Sequence, residues 1–107
     1  MHDIASPAAL AERLIALFPL FAGELEGEEI ESYHQVVQRL APVIAGYLQN
    51  SPEHTLDRFC ELVNAMADAG GDQENAISTC LLEHATQVGI RKIIRPHLGA
   101  AARKELR

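Results

Sequence analysis

The chain has 107 residues, 48% of them hydrophobic, and a formal net charge of −6 at pH 7. A chain of this length buries about two-thirds of its unfolded surface, so we expect a single domain over residues 1–107 that needs neither a disulfide nor a metal ion to fold. The composition excludes a disordered chain, and because no apolar run reaches about 18 residues, no membrane span is predicted.

The N-terminus and the two cysteines indicate the compartment. The first ten residues lack a basic segment followed by an apolar one, so no secretory signal is predicted. Cys60 and Cys80 fall on the apolar stripes of predicted helices, where we expect both to be reduced, small buried side chains. A disulfide between neighbouring helices is the alternative. The simplest prediction is a cytoplasmic protein.

Charge is distributed unevenly along the chain. The residues up to Glu83 include 14 acidic and three basic side chains, whereas those from His84 onward include one acidic and six basic ones. An acidic body repels nucleic acid and attracts basic proteins. The alternative, in which the carboxylates only keep the protein soluble, is equally open.

Apolar residues at spacings of three and four predict an all-α fold. Ser6 followed by Pro7 has the pattern of a helix start, and Pro19 should end the first helix near Phe18. We expect the apolar corner 18–21 to lie in the core.

The middle of the chain predicts two longer helices. One should run from about 28 to 49, as a single helix kinked at Pro42, because the apolar spacing continues across the proline. The next should run from 52 to 69, with Ser51 before its first residue and Gly70 at its end.

The segment 72–88 predicts the central helix of the fold. Asp72 is a suitable N-cap, and Gly89 follows the last residue. The apolar arc is wide, which is typical of a helix covered on several sides. We therefore expect Cys80 and His84 to be structural side chains in or near the core, with the two preceding helices packed on this one.

Two short helices, 90–95 and 97–106, complete the prediction. The sequence thus predicts a compact bundle of five to six helices. Successive helices joined by short links also fit HEAT-like helical hairpins, and the two arrangements stay open.

Histidines near carboxylates are the natural candidates for a metal site. Glu31 and His34 have the Glu-x-x-His spacing that places both groups on one face of a helix. Such a site needs a second copy of the motif, which the chain lacks, so we expect no metal and no cofactor. His54, Asp57 and Glu61 share a face of the third predicted helix, where a solvated surface is the simpler interpretation.

No motif indicates catalysis. The sequence has no Gly-rich turn that presents a serine, no phosphate loop and no dinucleotide fingerprint. We therefore predict that the protein is not an enzyme and that it has no catalytic residues. Whether His34 or His84 has a functional role stays open.

Two acidic patches are the predicted partner-binding surfaces. The first is the Glu-rich segment 24–31, which runs into the start of the second predicted helix, and the second is the outer face of the third. Carboxylates at a helix N-terminus also stabilise the helix, which is the competing structural interpretation. The candidate residues are Glu24, Glu26, Glu28, Glu29, Glu31, Glu53, Asp57, Glu61 and Asp68.

The basic tail is the other charged feature. Cations in the last turns of helices complement the helix dipole, and no aromatic residues are interleaved with these bases, so we predict no direct binding of nucleic acid. The tail bases are Arg91, Lys92, Arg95, Arg103, Lys104 and Arg107.

Several short motifs resemble a known group of proteins. They are Leu17-Phe18-Pro19, the Glu-rich start of the second predicted helix, Gly71-Asp72-x-Glu74-Asn75-x-Ile77, Leu82-Glu83 and Arg95-Pro96-x-Leu98-Gly99. Together they resemble small all-helical bacterial immunity-type proteins of toxin–immunity gene pairs, including contact-dependent growth-inhibition systems. The resemblance implies an inhibitor that binds a cognate toxin domain and neutralises it.

The predicted function is therefore a cytoplasmic protein-binding inhibitor. Its expected partner is a basic toxin domain, with a nuclease as the favoured class, because a nuclease cleft must attract a polyanion. The alternative is a non-enzymatic adaptor or regulatory scaffold, which would form a homodimer if an apolar face stayed exposed.

Overall fold

The computed structural model describes residues 4–107 and confirms the all-α fold, with no strand among these residues. The radius of gyration of the Cα atoms is 12.3 Å, as expected for a compact chain of this length. The α-helices are α1 (Pro7–Leu17), α2 (Phe21–Glu24), α3 (Tyr33–Leu40), α4 (Ile44–Gln49), α5 (Glu53–Ala69), α6 (Gly71–Cys80), α7 (Arg91–Ile94) and α8 (Ala100–Glu105). Two 3₁₀ turns, Leu82–His84 and Arg95–His97, follow α6 and α7.

The start and end of α1 are as predicted. The Ser6 hydroxyl accepts a hydrogen bond from the backbone N–H of Ala9 (3.1 Å), and Pro7 occupies the first helical position. The prediction for the corner that follows was only half right. Phe18 and Phe21 are buried, but Pro19 is exposed and Leu20 is 77% exposed.

The predicted kinked helix from 28 to 49 is wrong, because the structure has two helices there. Ser32 begins α3 as an N-cap that accepts from the backbone N–H of Gln35 (3.0 Å), so residues 28–31 lie outside the helix. Pro42 lies in the turn between α3 and α4. A proline removes one helical hydrogen bond and clashes with the preceding turn, and here that separates two helices that share the same apolar periodicity.

α5 follows its prediction closely, apart from its cap. Pro52, with an extended backbone, precedes the first helical residue, and the side chain of Ser51 does not cap the helix. Gly70 has φ +71°, a left-handed conformation that glycine adopts without strain, and it joins α5 directly to α6.

The central helix is shorter than predicted. α6 packs against both α3 and α5, which confirms its central position, but it ends at Cys80. Leu81 has non-helical dihedrals, and both Leu81 and Leu82 are fully buried. Adjacent side chains on an α-helix point about 100° apart, so the break in the helix lets both leucines enter the core. His84 is exposed, which contradicts the predicted core or boundary position.

The C-terminal segment closes back onto the turn after α6. The backbone N–H of Arg107 donates to the carbonyl of Leu82 (2.8 Å), and the carbonyl of Arg107 accepts from the N–H (3.0 Å) and the hydroxyl (2.9 Å) of Thr86. The hydroxyl of Ser78 lies 2.9 Å from a carboxylate oxygen of Glu105, which ties α6 to α8.

All eight α-helices contribute to one hydrophobic core. Its largest fully buried aromatic side chains are Phe21 of α2 and Phe59 of α5. Phe59 makes an edge-on contact with Phe18, with ring centroids 5.7 Å apart. Among the described residues, none of the helices is both long and apolar enough to cross a membrane.

Candidate interaction surfaces

An open apolar groove of about 500 Å³ lies between the end of α1 and the α3–α4 turn. Leu20 projects from its edge and is the only large hydrophobic side chain that is exposed among the described residues. Pro19 and Pro42 bring two helix ends together there. The groove is lined by Leu17, Phe18, Pro19, Leu20, Pro42, Val43, Gly46, Tyr47, Asn50 and Ser51.

A stacked aromatic pair forms the floor of the groove. The rings of Phe18 and Tyr47 are 5.4 Å apart at an interplanar angle of 21°. Burial raises the pKa of Tyr47, and the negative charge of Glu24 raises it further. Glu24 therefore lies close enough to the groove for its charge to act on a lining residue.

The first predicted acidic patch follows this groove along the chain. Glu24 ends α2, and Glu26, Glu28, Glu29 and Glu31 lie in the turn and extended segment before α3. The side chains of four of them are exposed, whereas Glu28 is half-buried. The competing interpretation, in which Glu28, Glu29 and Glu31 stabilise a helix from its first turn, is therefore wrong, because α3 begins at Tyr33.

Glu28 is held by two neighbours from α3. Its carboxylate lies 2.9 Å from Nε of Arg39 in a salt bridge and accepts from Nε2 of Gln35 (3.2 Å). The same Gln35 side chain donates to the carbonyl of Glu29 (2.8 Å) and accepts from the N–H of Glu31 (2.8 Å). These contacts fix the course of the acidic segment against α3.

The second predicted patch lies on α5, as expected. Glu53, Asp57, Glu61 and Asp68 are all exposed. A carboxylate oxygen of Asp57 lies 3.1 Å from Nδ1 of His97, so this residue connects α5 to the turn after α7. The structure thus separates the nine candidates into a segment beside an apolar groove and a helix face without one.

Glu31 and His34 do not lie on one helix, so the pair lacks the arrangement that a Glu-x-x-His metal site requires. The prediction placed both residues on one helix face, but Glu31 precedes the N-cap of α3. His54, Asp57 and Glu61 do lie on one helix, α5, but the described residues contain no group of three His, Cys, Asp or Glu side chains that could hold a metal ion.

The thiols are not arranged as nucleophiles. Both cysteines are free. Burial raises the pKa of Cys60 to about 12, with a smaller contribution from the nearby Asp57, and burial also raises the pKa of Cys80. Cys80 and His84 line a common concavity of about 570 Å³, but a raised pKa favours the thiol over the reactive thiolate.

The apolar groove was missed at the sequence level. The prediction placed residues 18–21 in the core and treated Pro42 as a kink within one helix. The sequence signal that could have indicated the groove was Pro19 and Pro42, each of which can end a helix, together with Leu20 directly after the first proline. That signal shows a pair of chain breaks, but it does not show that the breaks meet in space.

The fold and surfaces define a small all-helical domain with an apolar groove beside an acidic segment. The chain belongs to the family described as "Domain of unknown function (DUF7674)", which matches residues 11–107. Neither the curated proteins nor the solved structures contain a match to the chain. The family covers every motif on which the resemblance to immunity-type proteins rests, and it carries no statement of activity.

Proposed function

We propose that the protein is a binding protein and not an enzyme, and that it neutralises a basic toxin domain in the manner of an immunity protein. The observation that carries the proposal is the exposed Leu20 in an apolar groove whose lining residue Tyr47 lies within reach of the charge of Glu24, the first residue of the acidic segment. Stable protein interfaces combine an apolar centre with a polar rim.

The groove supplies the apolar centre. Leu20 is 77% exposed, so burying it against a partner would be favourable. The half-buried ring of Tyr47 is already stacked on the buried ring of Phe18, so little side-chain entropy would be lost when a partner covers Tyr47. Large aromatic side chains are the residues that most often dominate binding energy.

The acidic segment supplies a rim of matching charge. Glu24, Glu26 and Glu29 are exposed, and Glu24 is close enough to Tyr47 to raise its pKa. A toxin that acts on nucleic acid needs a basic cleft, and carboxylates beside the groove would steer such a cleft towards it. The resemblance to immunity-type proteins supports the same class of partner.

We favour this patch over the outer face of α5. Asp57 on α5 is engaged with His97, and no large exposed hydrophobic side chain accompanies that face among the described residues. Exposed carboxylates without an apolar centre contribute little to affinity, because their charges remain solvated.

The test is co-purification with the product of the neighbouring gene, followed by charge reversal. We expect the double variant Glu24→Lys, Glu26→Lys to weaken binding of that product by about tenfold or more and to slow association most at low salt. The matched control is Glu53→Lys, Asp68→Lys, which makes the same charge change on α5. The proposal fails if the neighbouring product neither acts as a toxin nor binds, or if the control pair weakens binding equally.

A second pair of variants tests the apolar centre. Leu20→Asp should abolish binding without loss of folded protein, since the side chain is already solvated. Ala22→Asp adds the same charge at an exposed position of α2 that does not line the groove, and it should leave binding within about threefold of wild type. Equal loss in the two variants would contradict the role of the groove.

The second candidate function is a non-enzymatic adaptor that forms a homodimer. The exposed Leu20 favours it as well, because a second copy of the chain could cover the same groove. Light scattering separates the two candidates. A monomer at micromolar concentration leaves the groove free for a toxin, whereas a dimer that Leu20→Asp converts to monomers supports the adaptor.

A further inference from the structure

Four cations from the C-terminal part of the chain line one open concavity. Arg91 and Lys92 come from α7, Arg95 from the 3₁₀ turn that follows, and Arg103 from α8. The concavity has a volume of about 480 Å³, and Pro96 is the only other residue of 4–107 that lines it. We call this site, lined by these five residues, the basic concavity.

The four cations have no carboxylate partner in the described range 4–107. Among the described residues, none of them forms an ion pair, and no acidic side chain lines the basic concavity. In contrast, Arg39 on α3 is paired with Glu28. Like charges that converge without counter-charges repel one another, and a bound anion relieves that repulsion.

The backbone partly preorganises the site. Nε of Arg103 donates to the carbonyl of Arg95 (3.4 Å), which holds the α8 side chain against the turn. A second concavity of about 320 Å³, lined by Thr86, Gly89, Arg91 and Lys92, adjoins the first through the two shared cations. The cations therefore form a band and not a single point of charge.

The helix dipole does not account for this cluster. It explains Arg103, which lies in the last turn of α8. α7 has only four residues, so its first and last turns coincide and Arg91 and Lys92 gain nothing from it. Solubility does not explain the cluster either, because the same four cations on other elements would keep the chain equally soluble.

We infer that the basic concavity binds the phosphate chain of a small molecule, either a free oligophosphate or the phosphate groups of a nucleotide. Arginine is suited to bidentate contacts with phosphate oxygens. A terminal phosphoryl group carries about −1.5 to −2 charges at neutral pH, so two or three linked phosphates match four cations, whereas one carboxylate matches one.

A nucleic-acid strand fits the site less well than a short phosphate chain. Within the described part of the chain, no aromatic side chain lines either concavity, so these residues offer a base nothing to stack on. The residues up to Glu83 carry 14 acids and only three bases, which would repel the flanking phosphates of a strand. This inference is independent of the proposed toxin binding, which uses the apolar groove.

The test measures binding of inorganic triphosphate by calorimetry and by the thermal denaturation midpoint, in phosphate-free buffer at constant ionic strength. We expect triphosphate to raise the midpoint with concentration and citrate, a tricarboxylate, to have much less effect. Adenosine triphosphate identifies the source of the phosphates: tighter binding than triphosphate indicates a nucleotide, and equal binding indicates that only the phosphate chain is recognised.

Matched variants locate the site. Lys92→Gln and Arg95→Gln, both at exposed positions, should each weaken triphosphate binding about tenfold, since each removes a charge-assisted contact. Lys104→Gln removes one charge from the same tail outside the concavity and should change affinity less than about twofold. Circular dichroism verifies that each variant is folded.

Four results would overturn the inference. They are no response to triphosphate, equal binding of citrate, an equal loss of affinity in Lys104→Gln, and tighter binding of a single-stranded DNA 12-mer than of triphosphate. The first three remove phosphate recognition at this site, and the last replaces it with general binding of nucleic acid.

Discussion

The acidic segment 24–31 and the basic concavity lie on the same small all-helical domain but differ in what their charges contact. In the acidic segment, Glu28 is fixed by Arg39 and Gln35, and Glu24 lies close enough to the apolar groove to raise the pKa of its lining residue Tyr47. In the basic concavity, four cations line one open space, and Pro96 is the other described residue that lines it. Groove and rim together suit a protein surface, whereas converging cations suit a small anion.

The comparison also shows why net charge is a poor guide to function. The formal net charge of −6 describes neither region. Association depends on the local potential at the surface that meets the partner, since charges in solution are screened within about 10 Å at moderate salt. Two regions of opposite sign can therefore act separately on one domain.

The largest expected effect concerns the core that the two regions share. Phe59→Ala removes a side chain that is 1% exposed and packs against Phe18 beneath the groove, so it should lower the free energy of unfolding by about 3–5 kcal/mol. Chemical denaturation followed by the fluorescence of the two tyrosines, Tyr33 and Tyr47, and by far-ultraviolet circular dichroism measures it. If the two probes gave separate transitions, the regions would not belong to one cooperative unit.

Intermediate effects on stability are expected for two glycine substitutions, one beside the basic concavity and one in the apolar groove. Gly89→Ala, next to the basic concavity, should destabilise the protein by about 1–2 kcal/mol, because Gly89 has φ +81° and a side chain is strained there. Gly46 lies within α4, lines the groove and has open space around it. Gly46→Ala should therefore stabilise the protein by about 0.5–1 kcal/mol, because alanine favours a helix more than glycine does. Thermal denaturation of both variants would reveal the opposite signs, and a shared sign would contradict the assigned backbone conformations.

The smallest expected effect on stability tests whether charges are paired in the acidic segment and unpaired in the basic concavity. Glu28→Gln breaks a surface salt bridge and should cost about 0.5–1 kcal/mol, less at high salt. Lys92→Gln removes a cation without a partner and should leave stability unchanged or slightly higher. Urea denaturation at low and high salt measures both. A loss of stability in Lys92→Gln similar to that in Glu28→Gln would show that the cations of the concavity are paired after all.

Some elements followed from local sequence alone. The Ser6-Pro7 start of α1 and the run of α5 up to Gly70 depend on caps, proline geometry and apolar spacing, which act within a few residues. The errors at α3 and α6 have a different origin. Apolar spacing continued across Pro42, where the proline ends the helix by removing a hydrogen bond, and across Leu81, where the break in the helix lets both Leu81 and Leu82 be buried.

The candidate surfaces divide in the same way. Sequence located the acidic segment and the basic tail, because charge is visible residue by residue. It did not reveal that Leu20 stays outside the core, that Tyr47 stacks on Phe18, or that Arg103 meets the turn at Arg95. These contacts join residues that are up to about 30 positions apart, and only the packing of helices against a common core decides which such pairs meet.

The sequence by itself therefore determined the all-α class, the starts of α1 and α5 and the separation of charge along the chain, since each depends on local propensity and composition. The tertiary structure alone decided where the helices break, which apolar residue remains exposed and which charges share a concavity. The physical reason is that burial and electrostatic pairing are properties of neighbours in space, and a chain of 107 residues specifies those neighbours only after it has folded.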